Sequence, residues 1–157
     1  MRGLTASTNQ AEPKITRAVI LATARTWIGT PYHHQACALG VGADCVGFIR
    51  GIWRALYDHD AEIPPGYSRD WAEATGMETL IESARRHLTE IAPANAKPGD
   101  VLVFRFRPHL VAKHAALLAS DTTLIHALEG AAVAEVPYGP WWRRRVAATF
   151  SFPGIID

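Results

Sequence analysis

Apolar residues recur at helical spacing in two stretches of the first third of the chain. The first stretch follows Pro13 and contains Ile20, Ala24 and Trp27, and the second contains Ile49, Ile52, Trp53 and Leu56. Gly29 and Pro31 interrupt the pattern between them. The spacing predicts two amphipathic helices, the second beginning at Cys45, joined by a loop over residues 29–44. Cys45 falls on the predicted buried stripe of the second helix.

The second half of the chain changes to short apolar runs separated by turns. Before them, residues 58–69 contain Pro64-Pro65-Gly66 and form a predicted loop, and residues 71–90 are predicted to be mostly helical with a break at Gly76. Pro98-Gly99-Asp100 is a turn signal. Strands are predicted at 101–106, 114–119, 123–127, 132–136 and 147–152. Helices followed by strands indicate an α+β fold, with N-terminal helices packed on a C-terminal antiparallel β-sheet.

Composition and charge are those of a globular domain. Of the 157 residues, 48% are hydrophobic and 20% are charged, which predicts one domain over residues 14–157 behind a flexible arm over residues 1–13. The net charge of +1 argues against binding to nucleic acid or to an anionic membrane surface, and favours neutral or zwitterionic partners. No apolar run has the length of a signal peptide or a bilayer span, so we expect synthesis in the cytoplasm without a signal peptide and no membrane insertion. A substrate outside the cell would then be reached by lysis or on a larger particle.

Cys45 stands at the predicted start of the second helix, directly after Asp44. The positive end of a helix dipole stabilises a thiolate, so the sequence predicts a nucleophilic cysteine whose thiol pKa is lowered toward neutrality. Asp44 is the predicted N-cap of this helix, and its negative carboxylate would raise the thiol pKa of Cys45. Cys37 is the other cysteine, and we expect both thiols to be reduced.

A base for this thiol is offered by His114 and His126, which lie in two predicted strands joined by a turn at Ser120-Asp121. An odd-length loop centred on residue 120 or 121 places both imidazoles on the same face of the sheet, directly opposite each other or on a diagonal. Their Cβ atoms would then be about 4.5–8 Å apart. One imidazole can take the thiol proton while the other orients it, as in nucleophilic catalysis.

Other interpretations of these residues stay open at this point. A free cysteine on a buried stripe is commonly a small hydrophobe, and a histidine in an apolar strand is commonly a hydrogen-bonded core residue. A zinc site would draw on His33, His34, Cys37 and Cys45. Their spacing fits no familiar zinc pattern, so the prediction is that the protein uses neither a metal nor an organic cofactor. The stretch 141–145 is either an interaction patch or a solvated turn with one buried Trp.

Five short motifs follow one another along the chain. They are Trp27-Ile28-Gly29-Thr30-Pro31-Tyr32, Asp44-Cys45-Val46-Gly47-Phe48, Lys97-Pro98-Gly99-Asp100-Val101, His114-Ala115-Ala116-Leu117 and Ile125-His126-Ala127. In this order they resemble the NlpC-type family of bacterial cell-wall cysteine peptidases, whose fold is similar to a reduced papain. The resemblance covers residues 16–153.

This resemblance implies a role for each polar residue. Cys45 would be the nucleophile, His114 the general base and later the general acid, and His126 the polar residue that fixes the imidazole. Tyr32 matches the family's tyrosine near the oxyanion site, where its hydroxyl would join the Cys45 backbone N–H. The candidate oxyanion and substrate-binding set is Tyr32, Asp44, His33 and His34. The chain departs from the family in this loop, because His33-His34-Gln35-Ala36-Cys37 stands where an aromatic residue and a Gly-Gly pair are usual.

Members of the family typically cut the amide between D-glutamate and diaminopimelate in peptidoglycan stem peptides, so this bond is the implied substrate. The short form without a signal peptide, together with residues 113–116 and 141–145, most resembles the branch found in phage tails and gene transfer agents, which opens the wall for DNA entry. The implied partners are then tail-tip or hub proteins of a phage-like particle that acts at the periplasmic cell wall. Two other functions stay open, a catalytically silent structural component of the tail tip and an amidase or acyl transferase acting on small amides or lipids.

Overall fold

The computed structural model describes residues 14–62 and 76–157. Within these ranges the helices are α1 (Arg17–Arg25), α2 (Cys45–Tyr57), α3 (Thr79–His87) and α4 (Pro140–Arg143), with a 3-10 turn at Pro93–Asn95. The strands are β1 (Cys37–Ala38), β2 (Gly42–Ala43), β3 (Thr89–Ile91), β4 (Val101–Phe104), β5 (His114–Leu118), β6 (Thr123–His126), β7 (Ala134–Pro137) and β8 (Val146–Ser151). The predicted arm over 1–13, the loop around 64–66 and the part of the predicted helix at 71–75 lie outside the described residues. Across the described ranges, each helix is too short or too polar to span a bilayer.

The first two helices pack closely against each other. The Thr16 hydroxyl accepts a hydrogen bond from the Val19 N–H at 3.1 Å and thereby caps the start of α1. Trp27, just beyond α1, packs on α2 at Gly51, where a Cβ atom would lie 2.0 Å from the indole ring. Glycine is therefore needed at position 51 for the two segments to come this close.

Six strands form one antiparallel sheet in the order β3-β8-β4-β5-β6-β7. One face packs against the helices in the main core and contributes Val101, Val103, Ala115, Leu117 and Ile125. The opposite face carries a smaller core made by Leu102, Phe104, Ala116, Leu118 and Leu124. The predicted α+β fold with an antiparallel sheet is confirmed.

Two element boundaries differ from the sequence prediction. Residues 89 and 90 begin strand β3 instead of continuing a helix, because this segment pairs with β8 at the edge of the sheet. The loop predicted for residues 29–44 contains the small hairpin formed by β1 and β2. Helical periodicity does not reveal such pairings, because their partners lie elsewhere in the chain.

The buried stripe of α2 agrees with the prediction at Ile52 and Leu56, which are buried, and differs at Ile49 and Trp53, which are only half-buried. Phe48 is buried instead, and its ring meets Trp27 edge to face at 6.3 Å. Ile49 and Trp53 border an apolar cavity of about 110 Å³ between α2, α3 and the sheet. Cys45 is likewise half-buried as a whole residue.

Candidate active site

Asp44 closes the first turn of α2 and fixes the position of Cys45. Its Oδ1 accepts a hydrogen bond from the Gly47 N–H at 2.7 Å, and its Oδ2 accepts one from the Gln35 N–H at 2.8 Å. A Cβ atom on Gly47 would lie 1.8 Å from the carbonyl oxygen of Ala36, so only glycine allows the helix start to lie against the preceding loop. The predicted N-cap role of Asp44 is confirmed.

The Cys45 thiol contacts the backbone of the two residues that flank His114, the first residue of β5. Its Sγ donates a hydrogen bond to the Lys113 carbonyl oxygen at 3.8 Å, and the Ala115 N–H also interacts with the sulfur. The ladder between β5 and β6 ends at Leu117, so the Ala115 N–H is not used by β6. Cys45 therefore lies where the two strands separate.

His114 opens strand β5 and His126 closes strand β6. The Ala119 N–H donates to the Thr123 carbonyl oxygen at 3.0 Å and closes a loop centred on Asp121. This register sets the two histidines on one face of the sheet as diagonal neighbours, with Nε2 of His114 2.9 Å from Nδ1 of His126. The predicted same-face arrangement is confirmed.

The hydrogen bond between the imidazoles decides which nitrogen is available for chemistry. Nε2 of His114 is bound to His126, and Nδ1 of His114 makes no hydrogen bond to a described residue. When Nε2 of His114 carries the proton and donates it to His126, Nδ1 of His114 keeps a lone pair. That lone pair suits His114 to act as a base, with His126 as the acceptor that orients it.

Aromatic rings cover the histidine pair on the face of the sheet away from α2. Phe104 is the cross-strand partner of His114 and stacks on it at 6.0 Å, and Phe106 stacks on it at 5.6 Å. Trp142 of α4 contacts both imidazoles, with its ring centroid 5.7 Å from His114 and 5.2 Å from His126. These rings limit the access of water to the pair.

Burial sets the charge state of the resting site. Desolvation lowers the pKa of His114 to about 3, to which the neighbouring His126 adds, and lowers the pKa of His126 to about 4. Desolvation raises the pKa of the Cys45 thiol to about 12, and the Asp44 carboxylate acts in the same direction. The predicted thiol pKa near neutrality is therefore wrong, because these two effects outweigh the nearby backbone N–H groups. Cys45 and His114 rest as a neutral thiol and a neutral imidazole.

A family model described as the NlpC/P60 family matches residues 29–150, a span that includes Cys45, His114 and His126. The chain belongs to the NlpC/P60 family. Comparison with curated proteins gives no match.

Solved structures share the fold of this NlpC/P60 domain. The NlpC/p60 domain of the peptidoglycan hydrolase SagA superposes with a TM-score of 0.65 at 24% identity, over 88% of this chain and 100% of that one. An NlpC/P60 family protein from Bacillus cereus gives 0.65 at 19% identity, over 90% of this chain and 41% of that one. The peptidoglycan hydrolase RipB from Mycobacterium tuberculosis gives 0.53 at 19% identity, over 90% and 65%. The chain thus spans less than half the length of the Bacillus cereus protein.

The other predicted site residues of the NlpC/P60 domain lie around the start of α2. Tyr32 is half-buried and forms a β-bridge with Ala43, the residue before Asp44. Nδ1 of His34 lies 3.9 Å from Oδ2 of Asp44. His33 is exposed, and its Nδ1 lies 3.2 Å from the His34 carbonyl oxygen. The roles of these side chains in binding the oxyanion or the substrate stay predictions.

The four zinc-ligand candidates do not converge. Cys37 lies beside Arg54, whereas the Cys45 thiol donates to the backbone carbonyl of Lys113, just before β5. Both cysteines are free thiols. Over residues 14–62 and 76–157, no group of three or more His, Cys, Asp or Glu side chains is arranged to hold a metal ion.

Glu78 fixes the segment that leads into His114, and sequence reasoning missed it. Its carboxylate accepts a hydrogen bond from the Ala112 N–H at 3.0 Å and pairs with Arg105, which also donates to the Leu110 carbonyl oxygen at 2.6 Å. Glu78 and Ala112 are 34 positions apart, so no local pattern reveals the contact.

The contribution of Trp142 was also missed. The sequence left residues 141–145 open between an interaction patch and a solvated turn, and the structure shows a short helix whose half-buried Trp142 packs on the histidine pair. The only sign of this contact in the sequence is the pair of adjacent tryptophans, Trp141 and Trp142, which does not indicate what either ring packs on.

Proposed function

We propose that the protein is a cysteine endopeptidase that cuts peptidoglycan stem peptides at the amide between D-glutamate and diaminopimelate. One observation carries the proposal. His114 and His126 are hydrogen-bonded at 2.9 Å, and the Cys45 sulfur contacts the backbone on both sides of His114. SagA and RipB, whose fold this chain shares, are named peptidoglycan hydrolases, which supports peptidoglycan as the substrate. The choice of bond follows from the resemblance of the five sequence motifs.

In the first step, Nδ1 of His114 takes the thiol proton while the Cys45 sulfur attacks the carbonyl carbon of the scissile amide. Proton transfer accompanies the attack, because both groups are neutral at rest. A carbon–sulfur bond forms and the carbonyl electrons move onto oxygen. The proposed donors to that oxygen are the Cys45 N–H, at the positive end of α2, and the Tyr32 hydroxyl.

Collapse of this intermediate breaks the carbon–nitrogen bond, and His114 gives its proton to the leaving amine. A thioester on Cys45 and the free amine of diaminopimelate result. Water then attacks the thioester while His114 accepts its proton, and the proton returns to sulfur as the carbon–sulfur bond breaks. His126 accepts the Nε2–H of His114 throughout and so stabilises the imidazolium form.

The test is mass spectrometry of fragments released from purified sacculi by the wild type, Cys45→Ala and Cys37→Ala. We expect the wild type and Cys37→Ala to release fragments with a new amino group on diaminopimelate, and Cys45→Ala to release none. Cys37→Ala is the matched control because it removes the chain's other thiol. Release that persists in Cys45→Ala would overturn the proposal, whereas cleavage at another stem-peptide bond would overturn only the choice of bond.

We further propose that the enzyme acts at the periplasmic cell wall from a phage-like tail. Support for this comes from the resemblance of residues 113–116 and 141–145 to the phage-tail and gene-transfer-agent branch. Purified particles should contain the protein together with tail-tip or hub proteins, and its recovery only outside particles would contradict this. If Cys45→Ala particles deliver DNA as well as wild-type particles do, a structural role in the tail tip is favoured.

A further inference from the structure

A groove of about 480 Å³ lies between the segment that follows β4 and the start of β8. Phe106 forms part of its wall, and the same ring stacks on His114 at 5.6 Å. Arg145 is held against this wall, because its Nε donates to the Phe106 carbonyl oxygen at 3.3 Å. The groove therefore opens one aromatic ring away from the proposed base.

The groove is positively charged. Arg105, Arg144 and Arg145 line it, and among the described residues that line it none is acidic. Arg105 is paired with Glu78, and Arg145 donates to two backbone carbonyls. Arg144 is exposed, and its guanidinium makes no hydrogen bond to a residue in the described ranges. Arg144 thus has a full set of donors available to a ligand, in a field that the neighbouring Arg145 cation reinforces.

We propose that Arg144 binds a free carboxylate of the stem peptide in this groove while the scissile amide lies at Cys45. This inference rests on the proposed function and names the feature of the substrate that the site recognises. D-glutamate has two carboxyl groups, and only one of them forms the scissile amide. The other carboxylate therefore remains close to the bond that is cut. A planar guanidinium matches a carboxylate with two parallel hydrogen bonds, which an amide in the same place does not offer.

The test compares two synthetic stem peptides that differ only in this group, one with the free carboxylate on D-glutamate and one with the corresponding amide. For the wild type we expect a KM about fivefold lower for the acid than for the amide, as for a solvent-accessible ion pair. Arg144→Gln should lose this preference while its KM for the amidated peptide stays unchanged, and Arg144→Glu should reverse the preference. Lys14→Gln is the matched control, because it removes one exposed cation outside the groove and should keep the wild-type preference.

The remaining outcomes distinguish failure of the groove assignment from failure of the proposed function. Cleavage of both peptides with the wild-type preference intact in Arg144→Gln would overturn the assignment of the groove and leave the proposed function standing. Equal losses on the acid and the amide in Arg144→Gln would also overturn it, because they would indicate a structural effect. Failure of the wild type to cleave either peptide would overturn the proposed function, and the groove assignment with it.

Discussion

Nε2 of His114 lies 2.9 Å from Nδ1 of His126, just past the point where the pairing of their two strands ends, at Leu117 and Ile125. Both imidazoles are buried, so the hydrogen bond is shielded from water and holds the ring of His114 in one orientation. The same bond occupies one nitrogen of His114 and leaves the lone pair of the other unused by the described residues. In the proposed mechanism that lone pair takes the proton of Cys45, and His126 is a positioning residue for the base.

His126→Ala should lower kcat by about a hundredfold with a smaller change in KM, because His114 loses the acceptor that orients it. His126→Asn should retain more activity, since its carboxamide oxygen can accept the Nε2–H. Steady-state kinetics on a stem peptide measures both. Equal losses in the two variants would contradict the orienting role.

Cys45 should react slowly with a small alkylating agent at neutral pH, because burial and Asp44 raise the pKa of its thiol to about 12. The rate should climb steadily as the pH rises above 8. Mass spectrometry of the Cys37→Ala protein follows this thiol alone. A rate that already reaches a plateau near pH 7 would show a preformed ion pair with His114 instead.

The free energy of unfolding should fall at both ends of the pH scale. The pKa values of His114 and His126 are lowered from 6.5 to about 3 and about 4, so between these values and 6.5 the unfolded chain binds protons that the folded chain does not. Stability is therefore lost as the pH falls below about 6.5. The thiol pKa of Cys45 is raised from 9.0 to about 12, so above pH 9 the unfolded chain releases a proton that the folded chain keeps, and stability falls again.

Urea unfolding across this range provides the measurement. Cys45→Ala should weaken the alkaline fall, although burial of Tyr57, whose pKa is raised to about 12, preserves part of it. Unchanged stability of the wild type between pH 6.5 and 4 would contradict the burial of neutral histidines.

Trp142→Ala should admit water to the histidine pair and raise the pKa values of His114 and His126 toward 6.5. The acid limb of the kcat/KM profile should move to higher pH with them. Trp142→Phe keeps an apolar ring over the pair, so it should shift the two imidazole pKa values and the acid limb less. Trp141→Ala is the control from the same helix. The Trp141 indole is exposed and packs on Phe106 and Trp142, so its removal should change the solvation of the histidine pair less. Imidazole NMR titrations that are identical in Trp142→Ala and the wild type would rule out this shielding.

Gly47→Ala should destabilise the protein by about 2 kcal/mol or more, because its Cβ would lie 1.8 Å from the Ala36 carbonyl oxygen and force the start of α2 to shift. Activity should fall with it, since Cys45 moves. Gly139→Ala is the matched control: its φ is −83° and no atom lies within 4 Å of the added Cβ, so its stability should change by less than about 0.5 kcal/mol. Thermal unfolding compares the two, and equal effects would contradict the close approach at Gly47.

The local part of this site follows from short-range rules. An aspartate directly before an apolar helical repeat predicts a capped helix start, and that cap sets Cys45 at the first turn of α2. Side chains alternate along a strand, so an odd-length loop centred on residue 120 or 121 predicted that His114 and His126 share a face, and the structure has such a loop at Asp121. Helices followed by strands likewise predicted the antiparallel sheet.

Only the tertiary structure decided the charge state and surroundings of these groups. The thiol pKa rises because the sulfur is buried, and burial depends on how α2 meets β5. The ring of Trp142 and the carboxylate of Glu78 belong to segments that are distant along the chain from their contact partners. The periodicity of the sequence does not predict such contacts. The sequence alone therefore determined which chemical groups exist and which way their elements present them. Long-range packing determined what surrounds them, because desolvation and nonlocal contacts arise only when distant segments come together.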